Sequence, residues 1–222
     1  TIVGDVTDTS NQLGLFYYFP SIVYVIEKPE YLEDAKAACK AALDKSKVDK
    51  KLDEIYPVYM TENLFEYEGM DKLSQFVGQT AWNILNEQGY AMQNFNTTFT
   101  EFWCQEHYKH SSMEQHVHGF GSQIIGFYFV ETPENCSRVV FHDPRSGKVQ
   151  INLPESNSMN ATPASNMINF EPKPGMLIFT NAWLPHAFTR HASEEPIQFI
   201  HFNLTIQNAP QVCEAPAAAE IV

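Results

Sequence analysis

The spacing of apolar residues changes at about Phe95: before it they recur at helical intervals, and after it they gather in short aromatic and β-branched runs. In PEYLEDAKAACKAALDKSK, residues 29–47, Leu32, Ala35, Cys39 and Ala42 share one helical face, and Pro29 and Glu30 suit a first turn. Residues 71–89, DKLSQFVGQTAWNILNEQG, repeat the pattern, with Leu73, Phe76, Val77, Ala81, Ile84 and Leu85 inward, Asp71 as the expected cap and Gly89 as the stop. Beyond Phe95, segments punctuated by Gly, Pro and Asn read as strands: FTEFWCQEHY, the HVH segment, SQIIGFYFV, RVVFHD, MINFEP, GMLIFT, HAFTRH and IQFIHFNLTI. These are eight segments, the strand number of a double-stranded jelly roll.

The expected architecture is mainly β with flanking helices: a double-stranded β-helix (jelly-roll, cupin-like) core with N-terminal helices packed on it. A single domain is expected over 1–222, with a helical part at 1–92, the jelly roll at 93–207 and a loosely held tail at 208–222. The apolar run LGLFYYFPSIVYVI, residues 13–26, reads as a core strand; it contains Pro20, lacks a basic lead and is too short to span a bilayer. The polar stretch 144–166 is too long for a hairpin connection and reads as a lid or binding loop.

Composition narrows the function. Hydrophobic residues at 44% and aromatics at 13% supply a buried core. With 27 acidic against 14 basic residues the net charge is -13, which repels polyphosphate and anionic membranes. Nucleic acid and membrane are therefore not expected as partners, which leaves a small molecule or a peptide. Cys39, Cys104, Cys136 and Cys213 show no metal-type spacing and read as free thiols of a reducing, cytoplasmic setting. Oligomeric state is not legible.

All eight histidines lie between His107 and His201. In EQHVHGFGS, residues 114–122, His116 and His118 stand at i and i+2, which on a strand places both on one side about 6.6 Å apart. They make two of the three ligands of a facial metal site, although an HxH pair alone is weak evidence. Downstream, PKPGMLIFTNAWLPHAFTRH brings His186 at the opening of a further strand.

From HVHGFGSQIIGFYFVETP through VVFHDPRSG to PGMLIFTNAWLPHAF and FIHFN, the chain resembles the phage and bacterial branch of the 2-oxoglutarate and iron(II)-dependent oxygenases of the double-stranded β-helix superfamily. The resemblance implies iron(II) held by His116, His118 and His186, with 2-oxoglutarate as cosubstrate for hydroxylation of a small molecule or protein. A phage origin would place the protein in host-cell cytoplasm. Two features depart from the superfamily. His118 stands where a carboxylate is usual, and three neutral imidazoles leave the ion its full charge, so Glu114 and Asp143 are substitute carboxylates. The last strand, IQFIHFNLTI, has no Arg or Lys to hold the far carboxylate of 2-oxoglutarate. Arg190 shares strand parity with His186 and Phe188 and is the expected anchor, with Arg138 and Arg145 as alternatives. Tyr128 and Phe127 are expected to line the cavity, and His201 and Asn203 to add hydrogen bonds.

Bland roles are expected for the rest: His107, His110 and His191 as surface or satisfied polar residues, His142 in a structural hydrogen bond, Trp183 and Leu184 in corner packing. Two other functions fit the same pattern. One is a cupin-type three-histidine dioxygenase without 2-oxoglutarate, the other a non-enzymatic jelly-roll binding module.

Overall fold

The computed structural model describes residues 16–150 and 153–209. In chain order these form β1 (Val23–Glu27), a 3-10 turn at Pro29–Tyr31 leading into α1 (Leu32–Asp49), β2 (Val58–Asn63), α2 (Met70–Glu87) and a second 3-10 turn, Met92–Asn94. There follow β3 (Phe95–His107), β4 (Met113–His116), β5 (Ile124–Glu131), β6 (Val139–His142), α3 (Ser146–Val149), β7 (Met167–Phe170), β8 (Met176–Asn181), β9 (His186–Phe188) and β10 (Ile197–Asn208). A six-stranded sheet has the order β1-β8-β5-β10-β3-β2, and a four-stranded sheet the order β4-β9-β6-β7. Neighbouring strands run antiparallel throughout.

Strand parity divides the interior. On the large sheet Phe102, Cys104, Tyr128, Leu177, Phe179, Ile200 and Phe202 face α1 and α2, and meet Ala35, Cys39, Leu73, Val77 and Leu85. The opposite face, with Ile125, Phe127, Phe129, Ile178 and Phe199, packs on Val139, Phe141 and Phe188 of the small sheet. One layer of strands thus carries two apolar cores, and full burial of each such side chain contributes about 1.5–3 kcal/mol. The metal-ligand candidates lie between the sheets.

Gly126 lies near the middle of β5, paired with Phe202 on one side and Phe179 on the other. A Cβ there would fall 2.1 Å from the Ile178 carbonyl oxygen and 2.3 Å from the Phe202 ring. Hydrogen in place of a side chain lets the rings of Phe179 and Phe202 meet across the strand, their centroids 5.2 Å apart.

The eight expected strands appear as β3 to β10. β2 was not anticipated, although VYMTEN carries Val58, Tyr59 and Thr61, because it is a short segment ending in Glu and Asn. The expected core strand at 13–26 is corrected to a short edge strand: β1 pairs only with β8, its side chains run from half-buried to exposed, and Phe16 to Phe19 are exposed. Residues 13–15 lie outside the described residues, as do Cys213 and the tail from 210. The N-cap of α2 is Gly69, in the left-handed region at φ 82°, and Asp71 lies inside the first turn. Gly89 follows the helix end as expected, with φ 94°. Among the described residues no helix is long and apolar enough to cross a membrane.

Candidate metal centre

β4 and β9 pair with His116 directly opposite His186, which brings their ring centroids to 4.4 Å. His118 lies two residues past the end of β4, where its N–H donates to the Ala182 carbonyl (3.0 Å). That bond carries the extended path onward and stacks the His118 ring on His186, centroids 5.2 Å apart and planes 6° from parallel. One ligand atom from each of the three lies within 4.8 Å of the others.

Backbone carbonyls orient two of the rings. Nδ1 of His116 donates to Glu114 O (2.8 Å) and Nδ1 of His186 to Leu184 O (3.0 Å). A carbonyl only accepts, so Nδ1 carries the proton and the Nε2 lone pair is free, the usual arrangement of a ligating imidazole. Nε2 of His186 and Nε2 of His118 are buried without a hydrogen-bond partner. An unpaired buried polar atom costs about 1–3 kcal/mol, and two of them aimed into one gap fit a cation better than they fit each other. Burial pushes His186 down to about 3 and His118 down to about 4, with neighbouring imidazoles adding to the effect. Both rings are therefore neutral near neutral pH.

His118 is held differently. Its Nδ1 lies 2.9 Å from Nδ2 of Asn203, an amide nitrogen that can only donate, so the ring proton sits on Nε2. The same amide nitrogen donates to Glu101 Oε2. Glu101 faces His201 as well, Oε2 to Nε2 3.6 Å, and this imidazole holds its carboxyl below the usual range. Glu101, His118 and His201 form a second group of potential ligands, so two donor sets share His118. A carboxylate thus reaches the site from β3, not from the positions expected. Glu114 is exposed, because the β4–β9 pairing is irregular between Met113 and His116 and its parity with His116 is broken. Asp143 is held by Arg145 and Lys148. It lines a separate cavity of about 280 Å³, beneath Tyr17, Tyr18 and the 162–166 part of the long loop.

The histidines open onto a cavity of about 200 Å³ walled by Glu101, Trp103 and Gln105 of β3 and closed by Met113, Phe127 and His201. Arg190 is not part of it. β9 ends at Phe188 and Thr189 N–H turns back to the Arg138 carbonyl, so the strand parity that would aim Arg190 inward stops short. Its guanidinium is exposed and hydrogen-bonded to His110 Nδ1 (2.7 Å). Arg138 pairs with Asn169 and Glu171, and Arg145 with Asp143. Tyr128 also falls outside: it faces the helices, and its hydroxyl donates to the Lys28 carbonyl (2.7 Å). Phe127 is the β5 residue on the cavity side, and Asn203 lies against His118.

The side chains that the sequence reading missed, Glu101, Trp103 and Gln105, share the parity of β3, and alternation in FTEFWCQEHY was the signal for them. His107 continues that face. It is fully buried, as is His191, so neither is a surface residue. His191 is satisfied, taking the Ser137 N–H on Nδ1 and donating from Nε2 to Glu195 O. His107 Nε2 meets Gln105 Oε1 (2.9 Å), and its Nδ1 has no partner.

Burial, with a smaller contribution from His191, pushes His107 down from 6.5 to about 3. The unfolded chain therefore takes up the proton first as pH falls. The stability that this neutral ring supports is complete above about pH 6.5 and is lost progressively between about pH 6.5 and about pH 3. The urea midpoint of the native chain should fall more steeply over that range than that of His107→Phe; parallel curves would remove His107 as the cause.

Residues 101–203 match the family model described as "Putative 2OG-Fe(II) oxygenase". No curated protein gives a significant match. Among solved structures, a Pseudomonas putida prolyl-4-hydroxylase aligns with TM-score 0.57 at 8% identity, covering 83% of this chain and 92% of its own. HygX from Streptomyces hygroscopicus, solved with nickel and 2-oxoglutarate bound, aligns with TM-score 0.53 at 11% identity over 83% of each chain. A Trichoplax adhaerens prolyl hydroxylase, in complex with a hypoxia inducible factor peptide fragment, gives 0.56 at 8% identity, over 82% of this chain and 83% of its own. The solved structures share the fold, and the family match spans both sheets of the jelly roll and every candidate ligand. Over residues 101–203 the chain is thus similar to the 2-oxoglutarate and iron(II)-dependent oxygenases.

Proposed function

We propose that Nε2 of His116, His118 and His186 holds the iron(II), that 2-oxoglutarate fills the cavity along β3, and that the enzyme hydroxylates a small molecule or a peptide presented at the cavity mouth. The observation that carries this reading is the convergence of two buried, unpartnered Nε2 atoms on a third imidazole already oriented by a carbonyl. Bound iron supplies the oxygen chemistry that couples decarboxylation of the keto acid to oxidation of a substrate C–H bond.

The protein's own groups have separable tasks. The carbonyls of Glu114 and Leu184 fix the His116 and His186 tautomers. Ligation by His118 needs the Nε2 lone pair, so the ring proton would move to Nδ1 and the Nδ1 contact with the Asn203 amide would rearrange. Glu101, tied to His118 through Asn203, places a negative charge beside a donor set that has none. Phe127 and Met113 keep the inner wall apolar and exclude water. Val117, Phe120 and Trp183 are exposed apolar side chains next to the ligand-bearing segments, and suit a substrate with an apolar part. Trp183 thus has a use beyond corner packing. The structures solved with 2-oxoglutarate and with a peptide support the two ligand classes by analogy of fold. Free, buried Cys39 and Cys104 fit a reducing, cytoplasmic setting.

The test is an anaerobic titration. Iron(II) should bind at one equivalent, and subsequent 2-oxoglutarate should raise a visible charge-transfer band; admitting oxygen should then yield succinate. Tight iron binding with no response to 2-oxoglutarate would favour a three-histidine dioxygenase of cupin type. Absence of iron uptake would leave a binding module.

A further inference from the structure

The geometry points to a cosubstrate cradle that contains no cation: the far carboxylate of the 2-oxo diacid is held by the Trp103 indole N–H and the Gln105 side-chain amide. This inference rests on the proposed function, since it concerns the cosubstrate of that same cavity. Among the described residues no lysine or arginine lines the cavity, and Arg138, Arg145 and Arg190 are all engaged elsewhere. A dicarboxylate placed there must find other donors. Trp103 Nε1 is buried and has no partner, although an indole N–H can only donate. Gln105 is 4% exposed, and its Oε1 is occupied by His107 Nε2 (2.9 Å). Because His107 takes the oxygen, the amide NH2 is turned the other way.

The placement along β3 gives the diacid a direction. Trp103 and Gln105 are two apart on one strand face, about 6.6 Å, within reach of the two oxygens of one carboxylate through their side chains. Glu101, which would repel that carboxylate, lies at the imidazole end, held by Asn203 and beside His201. Gln105 is four residues further along, about 13 Å of strand. The keto acid end therefore belongs at the histidines and the far carboxylate at Gln105. His107 is a positioning residue for the amide and does not touch the ligand.

The experiment compares 2-oxoglutarate with 2-oxopentanoate, which has the same carbon chain without the far carboxylate. Each is titrated anaerobically into the iron(II)-loaded protein, with the visible band as readout and iron affinity measured separately. The native protein should prefer 2-oxoglutarate. Trp103→Phe and Gln105→Leu should each weaken 2-oxoglutarate by about 10-fold or more, the range for a hydrogen bond to a charged group, while iron and 2-oxopentanoate bind as before. Gln105→Glu, which preserves shape and adds a like charge, should abolish the preference and carries the test if Gln105→Leu fails to fold. If these variants keep the native preference, or lose it only together with iron, the cradle is overturned and the proposed function stands. If the native protein binds iron but gives a band with neither oxo acid, the proposed function fails and the cradle with it.

Discussion

His186→Ala is expected to abolish stoichiometric iron(II) uptake, while His201→Ala only weakens it. Both rings are buried and both approach His118, so simple proximity does not separate the two donor sets. Their hydrogen bonding does. His186 offers a buried Nε2 with nothing to meet, whereas His201 directs Nε2 toward the Glu101 carboxylate. Removing an outer-shell partner of a metal ligand typically weakens binding about 10–100-fold, and removing the ligand itself should exceed that range. Folding should survive the change, because the lost ring also removes an unsatisfied polar atom, which offsets part of the cavity cost. Titration of each variant with iron(II), alongside its urea midpoint, decides the matter. If His201→Ala lost the metal and His186→Ala kept it, the ion would belong to the Glu101, His118 and His201 set.

Gly126→Ala should cost more stability than any other single methyl addition to the large sheet. The new Cβ would overlap the Ile178 carbonyl and the Phe202 ring, and the carbonyl is backbone that cannot rotate away. Overpacking a well-packed core usually costs about 1–3 kcal/mol. Here strand displacement or loss of the Phe179–Phe202 contact adds to it, so a loss of about 3 kcal/mol or more is expected, a large part of a typical domain's 5–15 kcal/mol. Gly119→Ala serves as the control, since nothing lies within 4 Å of its added Cβ. A urea midpoint for Gly126→Ala within error of the native value would contradict the close approach at β5.

Much of this architecture was legible in the residues. The alternation within IIGFYFV and IQFIHFNLTI gives a two-sided strand, and the helical spacing of Leu73, Val77 and Leu85 gives the layer that covers one side. The HxH pair and His186 were connected through the family resemblance of the ordered motifs, not through a local pattern. Two departures arise where regularity ends. Arg190 was aimed inward by a parity that stops two residues earlier, and Glu114 by a parity that the β4 irregularity breaks. Tyr128 was placed with Phe127 although neighbours on a strand face opposite ways. Glu101 was missed because it is more than a dozen residues from the HxH pair, and only the pairing of β3 with β10, Glu101 opposite Asn203, brings it there. No local pattern specifies which strands become neighbours.

β4 is four residues long, lies at the edge of the small sheet, and pairs only with β9. It nevertheless ends in His116, with His118 just beyond it, while His186 is rooted between β4 and β6. An ion bound by these three rings acts as a rivet between a frayable margin and the interior. Under the proposed ligand set, iron loading would fasten that margin to the interior, and the strand that holds the metal would also border the cavity.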